Sequence, residues 1–511
     1  MTAAVGTDEE PRTSRLRALI DARQRCRGAQ VFLQDARTQR AVTYQLLAEV
    51  SRGWAHVLTE QCLDDGARIL VDVDDPLTCA TTQLCLLAAG QHIVPVDPEA
   101  PPGEIARILR VTEPVLVVTD RAERGVLYPR VRVLVIDPEL LGRPREGSDD
   151  GRTETAARLA RTEAPAPSGS VSLSTSGSAG EPKVVELDER RLLHVAGAVV
   201  DHHRLVPGDR GYSPLPLFHV NAQVVAVLAT FLAGATVVLD RRFRRHGFWQ
   251  LLQAREITWL NAVPAILSIV AADKQPAQLP GLRFVRSASA PLPPSVRDRI
   301  AARLCVPVVE SYGMTEAASQ ITATALHSGN PLHASAPPGS VGRPVSGELQ
   351  VREPEGTLAA PGVLGRIWIR GRGVISHYAD GRAAERFDGD GWLDTGDLGR
   401  VDTDGFVFLA GRADDVINRG GEMVHPREVE EVLLSHPRVA EAVVVGKPDG
   451  TLGAVPVGYV LAHHGANAGL TDELRQWCAL RLSRYKQPVA LHVVTDFPRA
   501  ATGKIRRYEV A

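Results

Sequence analysis

From about residue 30 to residue 140, the hydrophobic pattern alternates between long amphipathic stretches and short β-branched runs. Apolar residues recur with helical spacing in TYQLLAEVSRGWAHVL, whereas ARILVDV, HIVPVD, PVLVVTD and RVRVLVID are short apolar runs typical of strands. This alternation predicts βαβ units and a largely parallel sheet. It resumes after residue 170, where the helical stretch RRLLHVAGAVVDHHRL precedes the strand-like runs GATVVLD, ITWLNAV and LRFVRSAS. Two βαβ-type subdomains are therefore expected.

The pattern changes in the last third of the chain. Residues 340–410 contain GELQVRE, GRIWIRG and GFVFLAG, short runs broken by Gly and Pro that predict a small β-barrel or a distorted antiparallel sheet. After them, the runs VAEAVVVGK and VPVGYVLA and the charged helix LTDELRQWCALRLS predict a compact α+β unit. The predicted fold class is α/β: a large N-terminal domain of two βαβ-type subdomains plus a small β-barrel, followed by a small α+β C-terminal domain.

Length, charge and cysteine usage limit the possible classes of function. At 511 residues the chain exceeds what one hydrophobic core supports, so two or more domains are expected. The formal net charge of −2 gives no reason to expect a nucleic-acid or membrane partner. The first residues are acidic and contain no apolar segment, and the six cysteines are scattered without zinc-ligand spacing. We therefore expect a cytoplasmic protein with reduced thiols.

Two segments are expected to lack regular structure. The first dozen residues resemble a frayed terminus. Residues 142–170 are polar and rich in Gly, Pro and Ser, which predicts a surface connection between the two subdomains.

One loop has the composition of a phosphate-binding site. The segment SLSTSGSAGEPKVVEL (172–187) offers hydroxyl groups and glycine N–H groups, and successive backbone amides bind anions. Lys183 adds a positive charge at its edge. The segment differs from the common nucleotide P-loop, because Pro182 precedes the lysine and Val184 follows it where Ser or Thr would hold magnesium. From composition alone, a flexible Ser/Gly linker explains the segment equally well.

Lysine is rare in this chain, which makes each lysine informative. Only five of the 58 basic residues are lysines, namely Lys183, Lys274, Lys447, Lys486 and Lys504. Because the sequence uses Arg by default, a retained Lys suggests a chemical role. Codon bias explains Lys274 and Lys447 adequately.

A series of segments, in order along nearly the whole chain, resembles the adenylate-forming superfamily of acyl-CoA synthetases, peptide-synthetase adenylation domains and beetle luciferases. The segments are the 172–187 loop, PLPLFHVNA (214–222), SASAPL (287–292), SYGMTE (311–316), DTGDL (394–398), GRADDVINRGGEMVHPREVE (411–430) and ATGKIRR (501–507). Each is weak alone, since DTGDL and SASAPL could be ordinary turns. Their shared order and spacing favour the superfamily.

The resemblance implies an ATP site. Tyr312 is expected to stack on adenine, Thr315 to hydrogen-bond the α-phosphate, and Glu316 to ligate Mg²⁺, which prefers oxygen ligands. Without the resemblance, Glu316 would be explained as an acidic residue in the first turn of a helix. Asp397 is expected to accept both ribose hydroxyls and Arg412 to contact the ribose. The other implied nucleotide contacts are Thr175, Ser176, Gly177, Ser178, Gly180, Lys183 and Ser289.

The resemblance also implies how the acid is held and activated. His219 is expected near the substrate carboxylate, and Lys504 corresponds to a mobile catalytic lysine that bridges that carboxylate and the α-phosphate. With Thr315 and Glu316 these residues form the implied catalytic set. The polar groups of Asn221 and Gln223 among apolar neighbours suit a small or aromatic acid.

The implied domain organisation is an N-terminal AMP-binding domain (1–411), a hinge (412–414) and a small mobile C-terminal lid domain (415–511). Asp414 is the implied hinge residue. In the superfamily the lid rotates after the acid has been adenylated, and Gly420 and Gly421 are then expected to line a tunnel for the pantetheine chain of the acceptor.

The implied activity is ATP-dependent activation of a carboxylic acid as an acyl-adenylate, with release of pyrophosphate, and transfer to a thiol. This is an AMP-forming acid–thiol ligase, with ATP, Mg²⁺ and coenzyme A as its expected cofactors. Because the chain continues only seven residues past Lys504 and includes no carrier-protein segment, the acceptor is expected to be coenzyme A or a separate carrier protein in trans.

Two alternatives use the same fold. A diazotase would activate nitrite through AMP to diazotise an aryl amine. A nucleotide-binding module without turnover is disfavoured, because Glu316, Asp397, Arg412 and Lys504 are all present.

Overall fold

The computed structural model describes residues 14–141, 168–175, 183–273, 279–326, 336–463, 469–500 and 504–510. The predicted frayed terminus and most of the predicted connection at 142–170 lie outside these residues. The α-helices of the described residues are α1 Arg15–Arg27, α2 Tyr44–Glu60, α3 Pro76–Ala88, α4 Pro102–Thr112, α5 Glu189–His203, α6 Ala229–Ala233, α7 Phe248–Ala254, α8 Pro264–Ala271, α9 Pro294–Leu304, α10 Pro426–Leu434 and α11 Leu470–Ala479.

The helices expected from apolar spacing in the first half of the chain are confirmed, and local signals fix where they begin. The Thr43 side chain caps α2 by accepting from the Leu46 N–H, and Asp188 caps α5 by accepting from the Arg191 N–H. α3 is buried along its whole length, including the polar residues Thr78, Thr81, Thr82 and Gln83.

The first βαβ-type subdomain is built on a six-stranded sheet with the order β6-β5-β3-β4-β7-β8. All neighbouring strands are parallel except β7 and β8, which pair antiparallel. The strands are β3 Arg68–Asp72, β4 His92–Pro95, β5 Leu116–Thr119, β6 Arg132–Val135, β7 Ser170–Thr175 and β8 Lys183–Asp188.

The second subdomain is built on a nine-stranded sheet with the order β15-β14-β13-β12-β11-β9-β10-β1-β2. Its six central strands, from β13 to β1, are parallel, and antiparallel pairs close both edges. The strands are β1 Val31–Asp35, β2 Ala41–Thr43, β9 Arg210–Ser213, β10 Thr236–Leu239, β11 Trp259–Ala262, β12 Phe284–Ser287, β13 Val308–Tyr312, β14 Thr322–Ala323 and β15 Arg343–Pro344.

The region from 340 to 410 forms a four-stranded antiparallel sheet with the linear order β16-β17-β18-β19. Of the two predicted forms, the described residues adopt the distorted antiparallel sheet and not the closed barrel. The distortion consists of register shifts between β17 and β18 and between β18 and β19. The strands are β16 Glu348–Arg352, β17 Gly365–Arg370, β18 Leu393–Val401 and β19 Val407–Arg412.

The C-terminal α+β unit has its own sheet and core. The sheet order is β21-β20-β23-β22, with β24 pairing to β23, and a cluster of buried apolar residues from Ile417 to Leu491 packs the two C-terminal helices on it. The strands are β20 Ile417–Arg419, β21 Glu422–Val424, β22 Val439–Asp449, β23 Gly453–Ala462 and β24 Ala490–Val494. The boundaries 1–411, 412–414 and 415–511 stay predictions.

Candidate active site

Several predicted site residues lie where parallel strands of the nine-stranded sheet end. β12 ends at Ser287 and leads into the loop that carries Ser289, and β13 ends at Tyr312. Ligands of open α/β sheets bind at this edge, because the loops that leave the strands are free to surround them. Ser289 has a φ of 74°, which is rare for a residue other than glycine, so its loop is held in a strained shape.

The loop after β13 folds back tightly, and this requires glycine at position 313. A Cβ on Gly313 would lie 1.5 Å from the carbonyl oxygen of Ser319. The loop then forms a short 3₁₀ turn, Thr315–Ala317, in which Thr315 is half-buried. Glu316 lies in this turn and is only 5% exposed. The backbone thus holds a carboxylate inside the protein at the edge of the sheet.

Three predicted residues meet in what we call the Asp397 cluster: Tyr312, Asp397 and Arg412. The Tyr312 hydroxyl donates to Asp397 Oδ2 at 2.6 Å, and Arg412 Nη1 donates to Asp397 Oδ1 at 3.1 Å. The β18–β19 register places Asp397 opposite Arg412, so antiparallel pairing brings the ion pair together. Burial, and then the charge of Asp397, raise the pKa of Tyr312 well above its ordinary value, so its hydroxyl stays a donor.

A second group, the Glu316 cluster, consists of Glu316, Tyr378, Arg386 and Lys183. The Tyr378 hydroxyl donates to Glu316 Oε1 at 2.8 Å, and Arg386 Nη1 lies 3.6 Å from the same oxygen. Lys183 Nζ lies 5.1 Å from the centre of the Tyr378 ring. Burial, and then the charge of Arg386, lower the pKa of Lys183. Two cations and one carboxylate therefore share this part of the site, which suits a group with several negative charges.

The Glu316 carboxylate fits the predicted role of magnesium ligand. Tyr378 engages Oε1, and no hydrogen bond from the described residues reaches Oε2. Mg²⁺ is usually held by one or two carboxylates, with water and substrate phosphates completing its octahedron. In the described ranges no group of three or more His, Cys, Asp or Glu side chains could hold a metal alone. One carboxylate together with nucleotide phosphates is the arrangement that these residues allow.

The predicted phosphate loop is described only at its two ends. β7 ends at Thr175 and β8 begins at Lys183, and the register pairs these two residues. The predicted contacts Ser176, Gly177, Ser178 and Gly180 lie outside the described residues. The backbone of β8 is tied to the Glu316 cluster, because the Ala379 N–H donates to the Val184 carbonyl at 3.0 Å.

The predicted acyl residues lie at a break in helical geometry. His219 and Asn221 precede a π-helix, Ala222–Leu228, a rare form that is frequently found at functional sites. Burial lowers the pKa of His219 to about 4, so the ring is neutral at pH 7, and its Nε2 has no partner among the described residues. Asn221 Nδ2 donates to Ser289 Oγ at 3.3 Å, which joins two of the predicted segments.

Lys504 lies beside the Asp397 cluster. An antiparallel bridge pairs Arg499 with Ile505, and the Ala500 N–H donates to the Lys504 carbonyl at 2.8 Å. The Lys504 side chain is exposed to solvent. Desolvation lowers its pKa, the charge of Asp397 raises it and the charge of Arg412 lowers it. The structure therefore places the predicted catalytic lysine within electrostatic reach of the predicted ribose site.

The predicted hinge and tunnel residues lie nearby in the chain but outside these clusters. Asp414 is in the 3₁₀ turn Ala413–Asp415, between β19 and β20. Gly420 and Gly421 form the exposed β20–β21 turn with φ values of 62° and 95°. Their N–H groups donate to the Leu452 carbonyl and to Asn418 Oδ1, so these bonds stay within the C-terminal sheet.

Comparison with known proteins decides the family. Residues 20–379 match the family described as AMP-binding enzyme, and residues 428–504 match its C-terminal domain. The chain belongs to the AMP-binding enzyme family. The sulfoacetate–CoA ligase of Cupriavidus necator is 33% identical over 499 residues, which cover 97% of each chain. The oxalate–CoA ligase of Arabidopsis thaliana is 36% identical over 351 residues, or 67% of each chain.

A solved AMP-binding enzyme shows the same architecture. The o-succinylbenzoate CoA synthetase of Bacillus subtilis, in complex with its acyl-adenylate intermediate, matches with a TM-score of 0.79 at 28% identity, over 96% of this chain and 97% of that chain. The same synthetase has been solved with ATP and a magnesium ion. These likenesses confirm the predicted adenylate-forming superfamily and the α/β fold class with a smaller C-terminal domain.

The enzyme class follows from these relatives. This AMP-binding enzyme is an AMP-forming acid–CoA ligase that activates an acid with ATP and uses ATP, Mg²⁺ and coenzyme A. In the part of the chain that the structure describes, no helix is both long enough and apolar enough to cross a membrane.

Sequence reasoning missed three residues of the site. Tyr378 and Arg386 bind Glu316 from an irregular stretch that follows β17 and carries no motif of its own. Arg286 lies in the middle of β12, and here a signal was present. A charged residue within LRFVRSAS, a run predicted to be a buried parallel strand, breaks the apolar rule for such strands.

Proposed function

We propose that this AMP-binding enzyme activates a small or aromatic acid as an acyl-adenylate, releases pyrophosphate, and then transfers the acyl group to the thiol of coenzyme A. The observation that carries the proposal is the Asp397 cluster, in which Tyr312 and Arg412 both donate to the Asp397 carboxylate, with Lys504 within electrostatic reach of it. Glu316 follows Tyr312 on the loop after β13, so the two clusters lie at the same edge of the nine-stranded sheet. This arrangement suits the adenylating half-reaction.

In the first half-reaction a carboxylate oxygen attacks the α-phosphorus of ATP, and the bond from that phosphorus to the pyrophosphate oxygen breaks. The main barrier is repulsion between two anions, so positioning and positive charge suffice for catalysis. Lys504 offsets the negative charge of the attacking carboxylate and of the α-phosphate. Thr315 donates a hydrogen bond to the α-phosphate. Lys183 and Arg386 offset the charge of the leaving pyrophosphate. Glu316 would hold Mg²⁺, which supplies further phosphate neutralisation when bound.

Around the nucleotide, Tyr312 stacks on adenine, and Asp397 with Arg412 binds the ribose. Thr175 and Lys183, at the two ends of the predicted phosphate loop, contribute to phosphate binding, and Ser289 contributes to the nucleotide site. Both Asp397 oxygens are engaged, Oδ2 by Tyr312 and Oδ1 by Arg412. The ribose hydroxyls therefore join or replace bonds that already hold the carboxylate in position.

In the second half-reaction the thiolate of coenzyme A attacks the acyl carbon, the bond to the AMP oxygen breaks, and AMP leaves. We place the hinge at 412–414, with Asp414 as the pivot between an N-terminal domain (1–411) and a lid (415–511). Rotation would carry Lys504 away and bring the Gly420–Gly421 turn to the site. That turn is exposed to solvent, so a rotated lid would be able to present it to the active site.

The acid is expected to be small or aromatic. Sulfoacetate, oxalate and o-succinylbenzoate are named as substrates of the three relatives, and each of these compounds carries two acidic groups. His219 is half-buried and neutral, so it can donate a hydrogen bond to a carboxylate without adding charge. We keep a cytoplasmic location as part of the proposal, in line with six cysteines that form no disulfide.

A pyrophosphate-release screen tests the proposal. The panel pairs acetate with oxalate and sulfoacetate, propionate with malonate, butyrate with succinate, and benzoate with o-succinylbenzoate, each with and without coenzyme A. We expect at least one acid to give pyrophosphate alone and a thioester with coenzyme A. AMP formation that needs nitrite and an aryl amine but ignores coenzyme A would instead establish a diazotase, and thioester formation only on an added carrier protein would change the acceptor.

A further inference from the structure

A buried arginine without a carboxylate lies next to the predicted acyl pocket. Arg286 is 0% exposed and sits on β12, directly across from Asn261 on β11. Among the described residues it forms no ion pair. Its partners are amide oxygens: Nη1 donates to Asn261 at 3.0 Å and to Asn221 at 3.4 Å, and Nη2 donates to Gln320 at 3.0 Å. We call these four residues the Arg286 network.

The charge of Arg286 is therefore uncompensated. Burying a cation is costly unless a counter-charge accompanies it, and neutral amides supply hydrogen bonds but no negative charge. Burial lowers the pKa of Arg286 to about 9, which still leaves the guanidinium protonated at pH 7. Its charge also contributes, after burial, to the lowered pKa values of His202 and His203. The surroundings thus experience a positive field.

The network also has hydrogen-bond donors that no acceptor uses. Arg286 Nε and Gln320 Nε2 are both buried without a partner in the described structure, and the two side chains are in direct contact. Unsatisfied buried donors are rare in proteins and point to a missing partner. A missing partner that must accept hydrogen bonds and carry negative charge is an anion.

The position of the network identifies where such an anion would come from. Asn221 links it to the pocket, since Oδ1 accepts from Arg286 and Asn261 while Nδ2 donates to Ser289 Oγ. Asn221 Oδ1 thus accepts two hydrogen bonds inside the network. The Asn221 N–H group points the other way, toward Ser289 of the SASAPL loop. His219, with its own unpartnered Nε2, lies two residues earlier on the same turn. The positive field thus lies behind the pocket that receives the acid.

We propose that Arg286 is a specificity-determining residue that selects acids bearing a second acidic group, which Asn221 and Ser289 place against it. The selection rests on the proposed function, because it concerns the same acyl pocket. The reacting carboxylate goes to Lys504 and the nucleotide, while the second anionic group, a carboxylate or a sulfonate, compensates the Arg286 charge. Electrostatic complementarity of this kind gives specificity more than raw affinity.

The test is a selectivity ratio, the kcat/KM of a diacid divided by that of the monoacid of equal chain length. In the wild type we expect malonate, succinate or oxalate to exceed its partner by about 10²-fold. Arg286→Met, which keeps volume and removes charge, should lower the ratio at least about tenfold through KM of the diacid, and Arg286→Lys should restore part of it. Arg283→Met is the matched control, because Arg283 immediately precedes the same strand and is paired with Asp209; it should keep the wild-type ratio.

A second variant covers a failure of Arg286→Met to fold. Asn221→Asp is nearly isosteric and gives Arg286 an internal carboxylate, so it should lower the ratio in a folded enzyme. Equal losses for both members of a pair in these variants would assign Arg286 a structural role and overturn the inference. So would a wild type that prefers monoacids. If chloride at constant ionic strength stimulates monoacid turnover and no diacid preference exists, the counter-ion is inorganic and the inference is again wrong.

Failure of the proposed function would look different. In that case no acid of either class gives coenzyme A-dependent AMP. Calorimetric binding of succinate, malonate and oxalate in the presence of AMP then decides the inference alone: tighter binding to the wild type than to Arg286→Met supports it, and equal or absent binding overturns it.

Discussion

The nucleotide side and the acyl side of this site differ in whether a charged side chain has a counter-charge. Asp397 is paired with Arg412 and accepts a hydrogen bond from Tyr312, so the negative charge of Asp397 is balanced within its own cluster. Arg286 is 0% exposed, whereas the Asp397 side chain is 16% exposed, and yet Arg286 contacts only amides. A charge that is paired internally fixes geometry, whereas a charge left unpaired selects what enters. The comparison indicates a preorganised nucleotide half beside a substrate-selecting acyl half.

The Glu316 cluster stands between these extremes, because its carboxylate is hydrogen-bonded yet faces two cations. Glu316→Ala should abolish AMP formation while the protein stays folded. The loss should exceed about 10³-fold, since neutralising transferring phosphates contributes several kcal/mol. Pyrophosphate release measured across a magnesium titration checks this prediction. Near-normal turnover in the variant would refute the assignment of Glu316 as the magnesium ligand.

A milder substitution separates charge from packing at this position. Glu316→Gln keeps a hydrogen-bond acceptor for Tyr378 and removes the charge, so it should be nearly as inactive as Glu316→Ala and more stable. Glu189→Gln is the matched control, because Glu189 is equally buried and holds Ser14 and Leu16 far along the chain. That variant should keep its response to magnesium.

The next largest effect should distinguish the two half-reactions. Lys504→Ala should lose pyrophosphate release by about 10²- to 10³-fold, as for removal of one preorganised electrostatic group, and should still convert supplied acyl-adenylate to thioester. Gly421→Leu should show the reverse, because a side chain there would block the proposed pantetheine tunnel. Single-turnover assays of each half-reaction measure both.

Backbone strain must be separated from blockage at Gly421. Its φ is 95°, so any side chain strains the turn, although a Cβ there meets no atom within 4 Å. Gly469→Leu is the matched control, since Gly469 is an exposed C-terminal glycine with a φ of 96° and equally open surroundings. It should leave both half-reactions intact. If Gly421→Leu also leaves turnover intact while Lys504→Ala is inactive, the acceptor does not enter by that tunnel.

A smaller effect is expected at the adenine. Tyr312→Ala should weaken ATP binding by about 1 to 3 kcal/mol through loss of stacking. Because the Tyr312 hydroxyl also bonds Asp397, Tyr312→Phe isolates the two contributions: it keeps the ring and loses only the hydrogen bond. Equilibrium binding of ATP to both variants is the measurement. An unchanged affinity in Tyr312→Ala would show that another side chain covers the base.

Much of the fold follows from the sequence, because both βαβ subdomains have clear alternation of helical and β-branched runs. The closure of the third sheet does not follow, since Gly and Pro fix where strands break but not which edges pair. A barrel and an open antiparallel sheet therefore share one pattern. The order β16-β17-β18-β19 depends on side-chain packing across the sheet rather than on local propensity.

The site shows a similar division. Tyr312, Asp397 and Arg412 were predicted from separate motifs, and antiparallel register joins the last two. Tyr378 and Arg386 could not be predicted in this way, because they approach Glu316 from the connection between β17 and β18, which carries no motif. Arg286 was visible as a charge in an apolar strand, but its lack of a counter-charge emerges only from three-dimensional contacts.

The smallest effect we predict concerns pH and Lys504. Desolvation lowers the pKa of Lys504 below the ordinary 10.5. The protonated form assists adenylation, so kcat/KM for pyrophosphate release should fall as pH rises through that lowered pKa, at a lower pH than for a lysine of ordinary pKa. Bound ATP and acid add negative charge, which favours the protonated form, and kcat should therefore fall only at higher pH than kcat/KM. Assays without coenzyme A avoid titration of its thiol. Lys504→Arg stays charged over this pH range, so its kcat/KM should not fall at high pH. A fall at high pH in the Lys504→Arg variant would assign the titration to another group.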